Sequence, residues 1–336
     1  MKKRYRVILQ YIFFFGLGFF LVWWSIKDLT DEDRSHIKAA LRNARYLLIL
    51  PVLILLVISH YLRALRWKLL IEPIGHHPAT KNAFFAVMIG YLTNLAFPRL
   101  GELLKCTVLA RYEKIAVDRL IGTVIIERIV DAISLLVVLV ITFALQTGLY
   151  NQLIETFFRS SSPDESGSTA DLILFILVGI AILAVIVWMV WKRKGPKDVF
   201  SLFKKILINV IKGIASIGRL KKKYLFIFYS VVIWSLYLLA GYLGFFALQE
   251  TSHYGLKEAF TILSAGSIGM IITPGGIGAY AVLLEKTMQL YGLQKGIALA
   301  FGWLLWIAQT GVILLGGLFS FAAFPYFNKK KLLETS

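Results

Sequence analysis

The sequence predicts an all-α polytopic membrane protein: about six transmembrane helices plus two oppositely oriented re-entrant helical hairpins, in the pattern of an inverted repeat. Three observations predict it. Apolar residues make up 58% of the 336 residues and charged ones only 17%, against about 45–50% and about 25% in soluble domains. Apolar runs recur at the roughly 20-residue length that crosses hydrocarbon as a helix. Two further apolar stretches are interrupted midway by proline and glycine.

The elements follow in order along one membrane domain, residues 1–336. The run 7–26 comes after Lys2, Lys3, Arg4 and Arg6. It is too long for a signal-peptide apolar region and lacks a small-residue cleavage site, so it reads as an anchor. Thr30 and Asp33 resemble a capping pair ahead of Ile37, Ala40, Leu41 and Ala44, which gives a short surface helix. The second span is 46–62, and Arg63, Arg66 and Trp67 leave it as an interfacial basic and aromatic group. Spans at 120–145, 172–191, 224–248 and 297–327 complete the set. An amphipathic stretch at 198–223, ending in Lys221, Lys222 and Lys223, reads as an interfacial helix.

The stretches 82–110 and 259–290 fit the span template badly. The first breaks at Pro98-Arg99-Leu100-Gly101-Glu102 and the second at Thr273-Pro274-Gly275-Gly276-Ile277-Gly278. About 13 to 15 apolar residues precede each break, or roughly 20–22 Å, short of the roughly 30 Å core. Each is a re-entrant hairpin or, alternatively, a full span with a proline kink. Backbone that leaves helical geometry at membrane depth must be buried in protein or line a wet cavity. Basic residues accumulate in cytoplasmic loops, and the hairpin reading places 27 basic and 6 acidic residues inside against 9 and 11 outside. Both termini are then cytoplasmic and the protein is multi-pass in the cell membrane.

The net charge of +18 is therefore mostly a topology signal, and no nucleic-acid partner is expected. The single cysteine, Cys106, excludes an intramolecular disulfide framework and a cysteine-rich metal site. No phosphate-binding glycine loop, paired zinc-site histidines or serine nucleophile elbow is present, so no cofactor, no metal and no enzymatic activity are expected.

The charges inside apolar segments carry the chemistry. Glu127, Arg128 and Asp131 lie within 120–145, where each Arg or Asp costs about 2.5–3.5 kcal/mol to insert. They must therefore pair, and they read either as a structural ion-pair cluster or as a substrate or proton site. Arg99 and Glu102 sit at the first break with Asn94 just before it, and a guanidinium there suits a phosphate. Gly275, Gly276 and Gly278 open a half-helix whose N–H groups favour an anion.

Arg63-Ala-Leu-Arg-Trp67, Asn94-Leu-Ala-Phe-Pro-Arg-Leu-Gly-Glu102, Glu127-Arg-Ile-Val-Asp131 and Thr273-Pro-Gly-Gly-Ile-Gly-Ala-Tyr280 form an ordered motif series. In these motifs the chain resembles the lysylphosphatidylglycerol synthase transmembrane family of flippase-like proteins, over roughly residues 7–326. The resemblance implies a membrane module that moves lipids or lipid-linked head groups between leaflets. No soluble aminoacyl-transferring domain accompanies the motifs, so lysine transfer is not expected. Tyr280-Ala281 stands where many relatives carry a glutamate, and Glu285 is the nearest acidic residue after it. The leading expectation is a lipid flippase in which Arg99 and Arg128 hold a phosphate-bearing head group. Arg63, Arg66, Asn94 and the three glycines lie beside it, and Glu102, Glu127 and Asp131 carry protons or pair ions. Expected partners are anionic or phosphate-bearing membrane lipids and, further, envelope-synthesis proteins. A membrane enzyme acting on a lipid-linked substrate, or a scaffold of an envelope-synthesis complex, are the alternatives.

Overall fold

A computed structural model describes residues 2–97, 100–146, 218 and 220–329, with the side chains of Phe13 and of Phe15 onward. The predicted span at 172–191, Arg99 and almost all of the predicted interfacial helix at 198–223 lie outside the described residues. Among those described, ten α-helices and no strands occur, as an all-α membrane protein requires. They are α1 (Lys2–Lys27), α2 (Asp31–Arg42), α3 (Ile49–Ile71), α4 (Thr80–Ala96), α5 (Leu100–Glu113), α6 (Val117–Leu145), α7 (Lys223–Phe245), α8 (Leu256–Ile272), α9 (Ala279–Leu290) and α10 (Lys295–Phe327). Among the described residues, three segments, Tyr46–Ile74, Lys223–Phe245 and Lys295–Phe327, are long and apolar enough to cross a membrane. The chain up to Thr142, with Leu220 onward, forms one compact unit.

Local chemistry sets the ends of the elements. Thr30 caps α2: its hydroxyl accepts from the Asp33 N–H at 3.1 Å, and the Asp33 carboxylate accepts from the Thr30 N–H at 3.1 Å. This reciprocal box satisfies two N–H groups that a helix start otherwise leaves open. Past α3 the chain turns at Gly75 with φ +85°, a left-handed value that glycine adopts without a Cβ clash. The second span was expected to end at Leu62, yet α3 continues to Ile71. Arg63 and Arg66 do not end the helix because both are paired inside the protein.

The two interrupted stretches are helical hairpins built by the same device. Phe97, before Pro98, and Thr273, before Pro274, both take extended backbone, because a proline ring disfavours helical geometry in the residue before it. In the first hairpin α4 runs antiparallel to α5, with Gly90 against Gly101 near the tip and Asn82 bonded to Glu113 at the base. A Cβ on Gly101 would lie 2.0 Å from the Gly90 carbonyl oxygen, so the helices touch backbone to backbone. In the second, Gly269 on α8 packs against the backbone of Tyr280 on α9, and the Thr261 and Tyr291 hydroxyls meet at 2.8 Å at the base. The arms hold 17, 14, 17 and 12 residues, roughly 18–26 Å each at 1.5 Å per residue, so no arm alone crosses a 30 Å core.

Helix α10 packs along both hairpins. Its start carries α2, with Gly296 against the Asp33 backbone, and runs beside α9, with Gly302 against Ala281. Further along, Gly317 meets Met88 and Leu92 of α4, and near its end Asn328 exchanges hydrogen bonds with Asn82. The hairpin bases therefore lie at opposite ends of α10. Their tips meet between those ends, where Leu95 presses on Gly275 and the Trp306 indole N–H donates to the Gly275 carbonyl at 2.8 Å.

Candidate functional site

The first hairpin, α3, α6 and α7 enclose a cluster of charges. Helix α3 brings Arg63 and Arg66, three residues apart and so on one face. Glu127, Arg128 and Asp131 come from α6, and Lys105 from α5. Arg63 Nη1 donates to Asp131 Oδ2 at 2.7 Å and Arg66 Nη2 to Asp131 Oδ1 at 2.6 Å, so both oxygens of that carboxylate are held. Lys105 Nζ donates to Glu127 Oε2 at 2.6 Å. Arg128 reaches across, 3.4 Å from Glu127 and 3.3 Å from Asp131.

Neutral partners complete the shell. Arg63 Nε donates to the Tyr237 hydroxyl at 2.8 Å and Arg66 Nη1 to the Ser230 hydroxyl at 3.3 Å, both on α7. Tyr91 and Tyr237 lie on the Arg63 guanidinium, and Lys105 stands 4.1 Å from the Trp67 ring centroid. Such ring contacts stabilise a desolvated cation by about 2 kcal/mol. The Trp67 indole N–H donates to Thr123 on α6 at 2.9 Å. Trp67 was expected at the membrane surface with Arg63 and Arg66. All three are instead buried, because their partners Thr123 and Asp131 stand on the facing helix.

The cluster is largely buried and its charges do not cancel. Arg66 and Glu127 have no exposed side-chain surface, while Arg128 keeps 41% of its own open. Among the described residues, four cations face two carboxylates, a surplus of two positive charges. Buried charge is tolerated only when paired and hydrogen-bonded. Two guanidinium donors, Arg66 Nε and Arg128 Nε, are buried without a hydrogen-bond partner among the described residues, as are both ring nitrogens of His60, one turn from Arg63.

Asn94 and Glu102 meet at the first break: Asn94 Oδ1 accepts from the Gly101 N–H at 2.9 Å, and its amide donates to Glu102 Oε1 at 3.3 Å. The other oxygen of Glu102 is buried and unpartnered. The glycine series at the second break is not gathered into the ion cluster. Gly275, Gly276 and Gly278 take φ of +59°, +72° and +72°, and a Cβ on each would meet Leu95, Met270 and the Gly18 carbonyl respectively. The Gly276 N–H is used within the turn by Thr273 O. All three glycines, expected to favour an anion, also serve the close packing of the second hairpin. Glu285 is buried beside Lys286 at 3.5 Å, away from the cluster.

Lys105, Tyr91, Tyr237 and Ser230 escaped the sequence reading. Lys105 had a usable signal: it lies one turn from Glu102 inside an apolar arm.

Fold and site define a polytopic helical membrane protein with a buried, cation-rich ion cluster beside a broken helical hairpin. Residues 7–317 match the family model described as the lysylphosphatidylglycerol synthase TM region, and the chain belongs to that family, a membrane family related to lipid handling. No curated protein and no solved structure matches the chain.

Proposed function

We propose that the chain moves a phosphate-bearing lipid head group between the leaflets of the cell membrane without altering it chemically. The observation that carries this reading is the two-charge surplus of the cluster, with Arg128 as its open member. A guanidinium offers a fork of donors that matches phosphate oxygens. The acyl or prenyl chains stay in lipid, so a head-group site suffices. The hairpin bases at opposite ends of α10 and the tips in contact support the re-entrant, inverted-repeat reading, in which the substrate site lies where broken helices meet. The basic-residue bias supports cytoplasmic termini. Among the three candidate proton carriers, Glu127 and Asp131 are tied into ion pairs, whereas Glu102 keeps one unpartnered oxygen. Glu102 is the carboxylate best placed to carry a proton.

Reconstitution into liposomes with fluorescent phospholipids tests the reading. Arg128→Ala and Arg99→Ala are expected to slow translocation by at least about tenfold, the cost of a lost charge-assisted hydrogen bond. Arg128→Lys retains part of the rate. Unchanged translocation in both alanine variants would remove the site.

A further inference from the structure

The charge count of the cluster bears on which head group it takes, granted the translocating role proposed above. Arg63, Arg66, Lys105 and Arg128 carry four positive charges against those of Glu127 and Asp131. Further ionisable groups around it are Glu102 on α5, bonded to Asn94, Cys106 on α5 next to Lys105, His60 on α3, Tyr91 on α4 and Tyr237 on α7. Both carboxylates are already saturated by two or more cations each. The unmet requirement is for negative charge and for acceptors: Arg66 Nε and Arg128 Nε, both buried, have none.

A phosphodiester lipid offers one negative charge. An ethanolamine or lysyl head group also brings an ammonium, which would enter a region already rich in cations and find both carboxylates occupied. A phosphomonoester carries about −1.5 to −2 at neutral pH and three acceptor oxygens. We propose that the head group recognised here is a phosphomonoester dianion at the end of a lipid, selected over phosphodiester and amine-bearing phospholipids by the two-charge surplus of the Arg63–Arg66–Lys105–Arg128 cluster.

Competition against a fluorescent phosphatidic acid bound to the purified full-length protein tests this. At pH 7.5 unlabelled phosphatidic acid is expected to compete at least about tenfold better than phosphatidylglycerol, and better still than phosphatidylethanolamine. The advantage falls as pH drops through about 6, the second ionisation of a phosphomonoester, and the phosphatidylglycerol curve stays flat. The wild-type pH series needs no variant, so folding defects do not enter it. Arg128→Gln, which lowers the surplus to one, brings the two lipids to within about threefold. Equal competition by phosphatidylglycerol with no pH dependence overturns the proposal. Inorganic phosphate matching the lipid at equal concentration also overturns it, since the ligand would then be a soluble ion. Translocation in the same preparation separates the two readings. Arg128-dependent movement of phosphatidylglycerol without preference leaves the transport reading standing and removes the dianion selectivity. Selective binding of phosphatidic acid with no lipid movement does the reverse.

Discussion

Glu127 touches no solvent and lies within 4 Å of Arg63, Arg66, Lys105 and Arg128. Its neutralisation therefore leaves several buried cations short of a counter-charge. Glu127→Gln is expected to destabilise the protein by roughly 3–5 kcal/mol, read as a lower thermal unfolding midpoint in detergent. Adding Lys105→Met should restore a large part of that loss, since the double variant removes both ends of the 2.6 Å pair. At the membrane edge, burial raises the Asp33 carboxyl, but hydrogen bonds from the Thr30 N–H and hydroxyl and the charge of Lys295 outweigh it and hold it below its ordinary value. A carboxylate depressed in the folded state stabilises above its unfolded value and loses that contribution as pH falls through the folded one. Amide protection across α2 should accordingly decline below about pH 4 in the parent, the unfolded carboxylate range. Asp33→Asn should show lower protection throughout, without that step. The α6 charges were legible in the sequence because ionised groups are conspicuous in an apolar run. Their partners were less so: Arg63 and Asp131 are 68 residues apart, and only the packing of α3 on α6 joins them.

Among elements, the breaks in the two interrupted stretches were the most legible. Each proline forces an extended residue ahead of it, and the apolar lengths on either side are written in the chain. The end of α3 was not legible, because charges after an apolar run ordinarily mark the membrane surface. Tertiary pairing with α6 and α7 overrides that cue. The hairpins hold together by backbone contact, which makes their glycines the sensitive positions. Gly101→Ala would drive a methyl group into the Gly90 carbonyl and the Asn94 amide. It should cost about 1–3 kcal/mol as overpacking and splay α4 from α5. Gly278→Ala would combine a left-handed φ with a collision against α1, costing about 1–2 kcal/mol in backbone strain before the collision is counted. Parallel thermal scans should rank both below Gly122→Ala, whose added carbon meets nothing within 4 Å.

Across the whole molecule, the sidedness of the hairpins is open to direct labelling. In a Cys106→Ala background, a cysteine replacing His77, before α4, should react with impermeant reagent only from the cytoplasmic face. One replacing Gln294, between α9 and α10, should react only from the opposite face. Reaction of both from one side would contradict the inverted arrangement. Helix α10, at 33 residues, is about 50 Å long and is joined near its interior to the second hairpin's turn by the Trp306 hydrogen bond. Measured from that bond, roughly 17 Å of α10 extends toward Lys295 and roughly 32 Å toward Phe327. The helix is thus an off-centre beam. A rocking motion of a few degrees about Trp306 would swing its Phe327 end about twice as far as its Lys295 end, and in the opposite direction. A small adjustment at the second hairpin would be geared up into a larger displacement beside the first, where the charged cluster lies.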